Sequence, residues 1–420
     1  MKIQRDAGFA RRGLILVFIT LLIDVIGITL IIPVLPRFLG ELTGDNLSKS
    51  AIDGGLLLMV YALMQFLFAP IIGGLSDRFG RRPILLTSII TLAIDNLICA
   101  FAWSYPILFV GRILSGVSGA SHATCAAYIA DISNDQTRTR NFGLIGMAFG
   151  VGFIFGPALG GFLGSYSPRL PFYVAALLSF INFVFAWIML PETLSKRHRR
   201  RFNIKRANPF GSIVQLQKYP NVLWVAVAFF VYWLYVNVWP SSWTFVAKAR
   251  YDWSESAIGL SYAIFGTGEI FVMGVLLPFL TKRWSDWRIT MVGLIFSVFA
   301  LVGYTFAIQG WMVFLVYFFT MPETLGMASI RAIAAGQVPP NAQGELQGAF
   351  SSIMSITSVL APLLYTFLFE KFTSATAPFY FPAVPFIAAL IFVILTLLIF
   401  AFKVRIFPKK LKPYRASARK

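Results

Sequence analysis

Apolar residues run through this chain in blocks of membrane length, and polar residues collect between the blocks. A helix needs about 20 apolar residues to cross a bilayer's hydrocarbon core. On that measure the pattern predicts twelve helices near residues 13–39, 54–75, 83–103, 106–131, 142–164, 171–190, 221–247, 257–280, 289–308, 311–334, 344–369 and 379–402. The longest polar stretch, 191–220, follows the sixth block and carries Lys196, Arg197, Arg199, Arg200, Arg201, Lys205, Arg206 and Lys218. The expected architecture is therefore all-α: a six-helix bundle at 1–190, a basic linker at 191–220, a second six-helix bundle at 221–403 and a basic tail at 404–420. One interruption is very short. In GGLSDRFGRRP, residues 73–83, Asp77, Arg78, Arg81 and Arg82 stand between two apolar runs. This reads as a tight charged turn, with Gly73, Gly74 and Gly80 giving backbone freedom and Pro83 starting the next helix.

Composition agrees with the pattern. With 58% hydrophobic and 13% charged residues, the chain lacks the polar surface to cover itself as a water-soluble globule. The net charge of +19 does not make a nucleic-acid-binding domain, because the basic residues are spread between apolar runs. They sort instead by side. The two tails and the even-numbered loops hold 29 of the 36 Lys and Arg, whereas the opposite side holds Arg37, Lys49, Arg169, Lys248, Arg250 and Lys371. Basic residues stay on the cytoplasmic side, so both termini and the charged turn at Asp77 are expected there. No short apolar segment with a small-residue cleavage site opens the chain, which makes the first helix the expected insertion signal. Cys99 and Cys125 both sit in apolar stretches and are expected as buried small hydrophobes without a disulfide.

Ionisable residues inside the apolar blocks carry the candidate chemistry, since each costs about 2.5–3.5 kcal/mol at a bilayer centre on insertion scales. Asp24 in helix one, Glu269 in helix eight and Glu323 in helix ten fall about midway across. Asp95 in helix three and Arg112 in helix four lie at matching depth, so the two are candidates for a pair between adjacent helices. Such groups serve either as structural ion pairs and hydrogen-bonded acids, or as proton carriers taking a proton from one side and releasing it on the other. Glu323 follows Pro322, and satisfying the carbonyl freed by that proline is its structural alternative. His122, alone on a small-residue helix, reads foremost as a packed polar side chain.

Helix four repeats small residues at Gly111, Ser115, Gly119, Ala123 and Ala127, and helix five does so at Gly152, Gly156, Gly160 and Gly164. Both stripes predict close helix packing, and Gly156-Pro157 with Gly160 and Gly161 adds an expected bend. In helix seven, Trp239 and Trp243 suggest an interfacial aromatic belt, and Tyr232, Tyr235 and Asn237 a pocket lining. No metal-ligand spacing, phosphate loop or nucleophile elbow occurs, which leaves ATP-driven pumping and enzymatic catalysis without a motif.

The residues 73–82 resemble the loop signature of the major facilitator superfamily. Gly111-Arg112 through Gly116 resembles its fourth-helix motif, and GFIFGPALGG, 152–161, the fifth-helix signature of its proton antiporters. More narrowly, LIDVIGITLIIPVLP (22–36), YALMQFLFAP (61–70, with Gln65), GRILSGVSGA (111–120) and Ile129-Ala130-Asp131 are similar to the bacterial tetracycline/proton exporters; GELQG (344–348) is a lesser echo. The resemblance implies two bundles alternating between inward-open and outward-open states. It implies Asp24, Gln65 and Asp95 in the cavity, Asp77, Arg78, Arg81 and Arg82 in a gating loop, and Arg112 in proton coupling. It departs in the second half: Glu269 stands where those exporters carry a histidine, and 289–307 has no carboxylate where they carry an acid.

The expected function is proton-coupled efflux of an amphipathic drug-like compound, tetracycline being one candidate. The alternatives are a proton-coupled porter of a sugar, organic acid or peptide, and a non-transporting receptor in a transporter fold. A monomer in the bacterial inner membrane is expected, without cofactor or metal and driven by the proton gradient. Its partners would be a small-molecule substrate, protons and membrane lipid, and no nucleic acid.

Overall fold

The computed structural model describes residues 7–133, 137–199, 219–339 and 342–404. Most of the basic linker and the tail from 405 onward lie outside the described residues. Among the described residues every regular element is helical, and eleven segments are long and apolar enough to cross a membrane. The fourth expected crossing is not among the eleven. It runs as two helices either side of Ala120–Ser121 and carries Arg112, Ser115, Ser118 and His122 in its length.

The chain divides into two compact units, Met1–Pro209 with Ala247–Gly266 and Phe210–Val246 with Thr267–Lys420. The first is built from α1 (Ala7–Thr29), α2 (Leu35–Thr43), α3 (Leu47–Phe79), α4 (Arg81–Ala100), α5 (Tyr105–Gly119), α6 (His122–Ile132), α7 (Arg138–Tyr166) and α8 (Leu170–Met189). Pro33 and Pro36, which lack an N–H for the helix ladder, put a 3₁₀ turn at Ile32–Val34 between α1 and α2. Leu16, Val17 and Leu21 of α1 form a core with Leu85, Leu86 and Ile89 of α4 and with Cys125, Tyr128 and Ile129 of α6. The outward side is apolar too. Leu177, Phe180, Phe185 and Ile188 of α8 are all exposed, a face that suits lipid and not water.

The small-residue stripe of α7 is a packing surface for α1. A Cβ added at Gly152 would press on Val25, at Gly156 on Thr29, at Gly160 on the Leu30 carbonyl and at Gly164 on Val34. Thr29 Oγ1 donates to the Gly152 carbonyl at 3.2 Å. Gly161 faces elsewhere, against the Glu255 backbone, and Ser256 Oγ donates to its carbonyl at 3.2 Å. Pro157 lies within the continuous α7.

The turn at 73–83 is tighter than expected. Helix α3 continues through Gly73 and Gly74 to Phe79, and α4 begins at Arg81, before Pro83. Gly80 alone makes the corner, at φ 112° and ψ 161°, a conformation that L side chains rarely adopt.

The second unit contains α9 (Pro220–Val236), the start of α10 (Val238–Tyr251), the end of α11 (Glu255–Phe271), a π turn at Val272–Leu276, and α12 (Leu277–Thr281). Then come α13 (Asp286–Phe306), α14 (Gly310–Thr320), a 3₁₀ turn at Met321–Thr324, α15 (Leu325–Ala335), α16 (Gln343–Thr373) and α17 (Val384–Phe402). Its irregularities have proline causes. Pro240 follows the break between α9 and α10, Pro278 follows the π turn, and Pro322 sits in the 3₁₀ turn, each without an amide for the carbonyl four residues earlier.

Trp239 and Trp243 are buried, packed with Tyr304 at ring separations of 4.9 and 5.5 Å and with Phe386 at 5.6 and 6.2 Å. The belt expected for them is instead an aromatic core. The rings that bury them, Tyr304 and Phe386, are 61 or more positions away in sequence, so nothing local to the two tryptophans distinguishes core from belt.

Candidate functional site

Four polar constellations interrupt the apolar interior. In the first unit, Asp24 is buried on α1 and its Oδ2 lies 2.7 Å from His122 Nε2. The ring of His122 is held edge-on by Phe149 of α7, with centroids 5.4 Å apart. Its other nitrogen, Nδ1, lies 3.5 Å from Gln65 Nε2 of α3, which also donates to the Gly119 carbonyl at 3.2 Å and faces Tyr61 Oη at 3.4 Å. One turn earlier on α1, Thr20 meets Asn182 of α8.

Asp95 of α4 is fully buried, and Ser115 Oγ of α5 donates to its Oδ2. The expected Asp95–Arg112 ion pair does not form. Arg112 Nη2 turns to Cys99 Sγ at 3.3 Å, one helical turn beyond Asp95, and its guanidinium faces the Phe172 ring at 5.9 Å. Asp95 Oδ1 and Arg112 Nε are buried without a hydrogen-bond partner. The small residues explain the approach: Gly111 packs on Cys99, and Ser115 is small enough to reach the carboxylate.

At the corner, Arg81 is a hub. Its Nη1 donates to Asp77 Oδ1 and Ser76 Oγ, both at 2.6 Å, and its Nε to Asp131 Oδ2 of α6 at 3.2 Å. Thr193 Oγ1 donates to the same Asp131 oxygen at 3.0 Å. Glu192 Oε1 accepts from the Arg81 backbone N–H at 3.0 Å, filling an unpaired donor at the start of α4, and Arg199 lies 3.8 Å from its other oxygen. Arg82 reaches the Trp187 carbonyl at 2.6 Å, while Arg78 stays over the Phe79 ring.

In the second unit, Glu323 is buried in the 3₁₀ turn after α14. Tyr235 Oη donates to its Oε2 at 2.6 Å and Trp239 Nε1 to its Oε1 at 3.2 Å. Tyr232 is directed at the Glu323 carbonyl at 3.5 Å. Tyr232 and Tyr235 are thus buried supports of Glu323 and not the pocket lining expected from the sequence. Asn237 sits at the α9/α10 break, donating to the Trp233 carbonyl at 2.7 Å and accepting from Ser358 at 3.3 Å. The structural alternative for Glu323, a donor to the carbonyl freed by Pro322, does not describe it; both its oxygens accept from side chains. Glu269, half-buried just before the π turn, makes no hydrogen bond or ion pair through its carboxylate among the described residues.

The structure therefore brings Asp24 together with Gln65, and Glu323 with Tyr232 and Tyr235. It adds His122, Ser115, Trp239, Asp131 and Glu192. Of these, Glu192 carried a readable signal, an acid beside Pro191 at the end of a membrane block. The described residues contain no group of three His, Cys, Asp or Glu arranged to hold a metal ion.

Against known proteins, the sequence profile of the Major Facilitator Superfamily matches residues 17–330. The chain is 36% identical over 365 residues to the class C tetracycline resistance protein of Escherichia coli, covering 87% of this chain and 91% of that one. It is 38% identical over 368 residues to the class G protein of Vibrio anguillarum, covering 87% and 92%. Among solved structures, the fold matches a bacterial homologue of the lysosomal transporter Spinster with a TM-score of 0.78, at 16% identity and 96% and 99% coverage. The human organic anion transporter MFSD10 matches with a TM-score of 0.69, at 20% identity and 93% and 99% coverage.

Proposed function

Since the chain belongs to the Major Facilitator Superfamily and, within it, to the group of the tetracycline resistance proteins, we propose that it is a proton-coupled exporter of tetracycline-like amphipathic drugs. It works in the bacterial inner membrane by alternating access. The observation that carries this reading is identity of 36–38% with tetracycline resistance proteins along about nine-tenths of their length. Buried carboxylates in membrane-length helices support it, because an exporter run by protons needs groups that hold one inside the bilayer. Transport, not catalysis, is the activity.

In this reading the chain crosses the membrane twelve times, with the split pair α5–α6 as the fourth crossing and both termini cytoplasmic. The bundles are 1–190 and 221–403, the protein is a monomer, and it needs no cofactor. Protons enter down the membrane potential, worth about 2.3 kcal/mol per charge per 100 mV. They bind at Asp24 and Asp95 in the first half and at Glu269 and Glu323 in the second, in competition with the outgoing drug. Arg112 keeps the Asp95 region polar, and the Asp77–Arg81–Asp131 cluster steadies the cytoplasmic ends of α3, α4 and α6. Glu269 and Glu323 take over the second-half coupling that the relatives' histidine and ninth-helix acid are expected to provide.

The test is a pH-gradient assay in inside-out vesicles. Tetracycline, or another drug on a panel, is expected to collapse the gradient with the wild type and to fail with Asp24→Asn. A wild type that is inserted and folded yet answers to no drug on the panel would overturn the export reading.

A further inference from the structure

The break in the fourth crossing sits beside the Asp24–His122 contact, and one side chain touches both. Around Ala120 and Ser121 the helix tightens: their N–H groups bond to Val117 and Ser118 carbonyls, three residues back, at 3.3 and 3.0 Å. The Gly119 carbonyl has its side-chain partner in Gln65 Nε2. Gly119 is pressed against that side chain, for an added Cβ would come within 3.1 Å of Gln65 Nε2 and 2.7 Å of Tyr61 Oη. His122 is the first residue of α6, so the break fixes where its ring stands.

From this geometry we infer that Asp24 and His122 form one proton-carrying pair whose protonation state is read by Gln65 and passed to the break between α5 and α6. This rests on the export reading and names how the first half's proton site works. The Gln65 amide nitrogen is a donor facing Nδ1, and a donor suits a bare Nδ1. The ring proton then lies on Nε2, directed at the Asp24 carboxylate, and the pair carries one negative charge. A second ring proton binds Nδ1, making the pair neutral overall as imidazolium and carboxylate. Nδ1–H then confronts the amide N–H, donor against donor. Gln65 turns its carbonyl oxygen to the ring and releases the Gly119 carbonyl. The helix break loses its cap when the proton arrives and regains it when the proton leaves.

Other titratable or charged groups surround the pair: Tyr61 on α3, Asp95 on α4, Arg112 on α5 and Cys125 on α6. From α7 comes the Phe149 ring, and from α8 the neutral Asn182.

Two measurements test the pair. His122→Gln retains an N–H donor for Asp24 and cannot take up a proton. In vesicles it is expected to keep exchange of labelled drug against unlabelled drug, which needs no net proton movement, and to lose gradient-driven accumulation at least tenfold. A side chain needed only for packing would lower both together; equal loss of both, or accumulation at the wild-type level, overturns the inference. The second measurement needs no transport. The chain has two histidines, so in a His198→Gln background ¹⁵N NMR follows the His122 ring alone. Its Nε2, 2.7 Å from Asp24 Oδ2, is expected to show a changed ¹⁵N resonance when Asp24→Asn is added; an unmoved resonance overturns the pair even if export holds. A wild type inactive in every assay, with the resonance moved, sinks the export reading and leaves the pair standing.

Discussion

At the scale of single residues, the two best-built acids were visible and their partners were not. Asp24 is conspicuous in sequence because a charge inside an apolar run has no inexpensive explanation. Its partner is 98 positions away, and nothing local to His122 announces it, so a lone histidine reads as packing. Glu323 is as conspicuous for the same reason, and again its partners are what the sequence hides: its two donors come from the aromatic run of α9 and α10, where Tyr235 reads as pocket lining and Trp239 as belt. That constellation predicts a measurable energy. Tyr235→Phe removes one of two donors to a buried carboxylate and is expected to cost about 1–3 kcal/mol of stability, seen as a lower melting temperature in detergent. In a Glu323→Gln background the same change is expected to cost less, because the carboxylate it served is gone.

At the scale of elements, the membrane-length blocks and small-residue stripes were legible because both are periodic properties of one helix. Helix ends were not. Glycines at 73 and 74 look like a turn, yet a helix tolerates them, and only the one at 80 has a backbone that excludes other residues. Gly80→Ala is expected to lose about 1–3 kcal/mol, the order of cost for such a backbone, with the new methyl driven toward Glu192 besides. The stripe of α7 supplies its own control. Gly160→Ala would overlap the Leu30 carbonyl, whereas Gly150→Ala meets nothing within 4 Å. The first is expected to destabilise by about 1–3 kcal/mol. The second is expected to hold or gain up to about 1 kcal/mol of helix propensity, and parallel thermal melts compare them directly.

At the scale of the whole molecule, the sidedness of Lys and Arg makes a prediction that needs no transported drug. Both native cysteines are buried, so introduced thiols stand out against a quiet background. Trp103, highly exposed after α4, is expected to face outward, and Lys282, exposed after α12, inward. An impermeant maleimide is expected to label Trp103→Cys in intact cells and Lys282→Cys only in inverted vesicles; the reverse pattern would turn the topology over. The corner at Arg81 also has a consequence for how the protein is made. Its backbone partner Glu192 lies 111 residues downstream, which a ribosome adding about 5–20 residues per second reaches on the order of ten seconds later. The corner between α3 and α4, made early in synthesis, is therefore completed only after α8 has been made and Glu192 follows it.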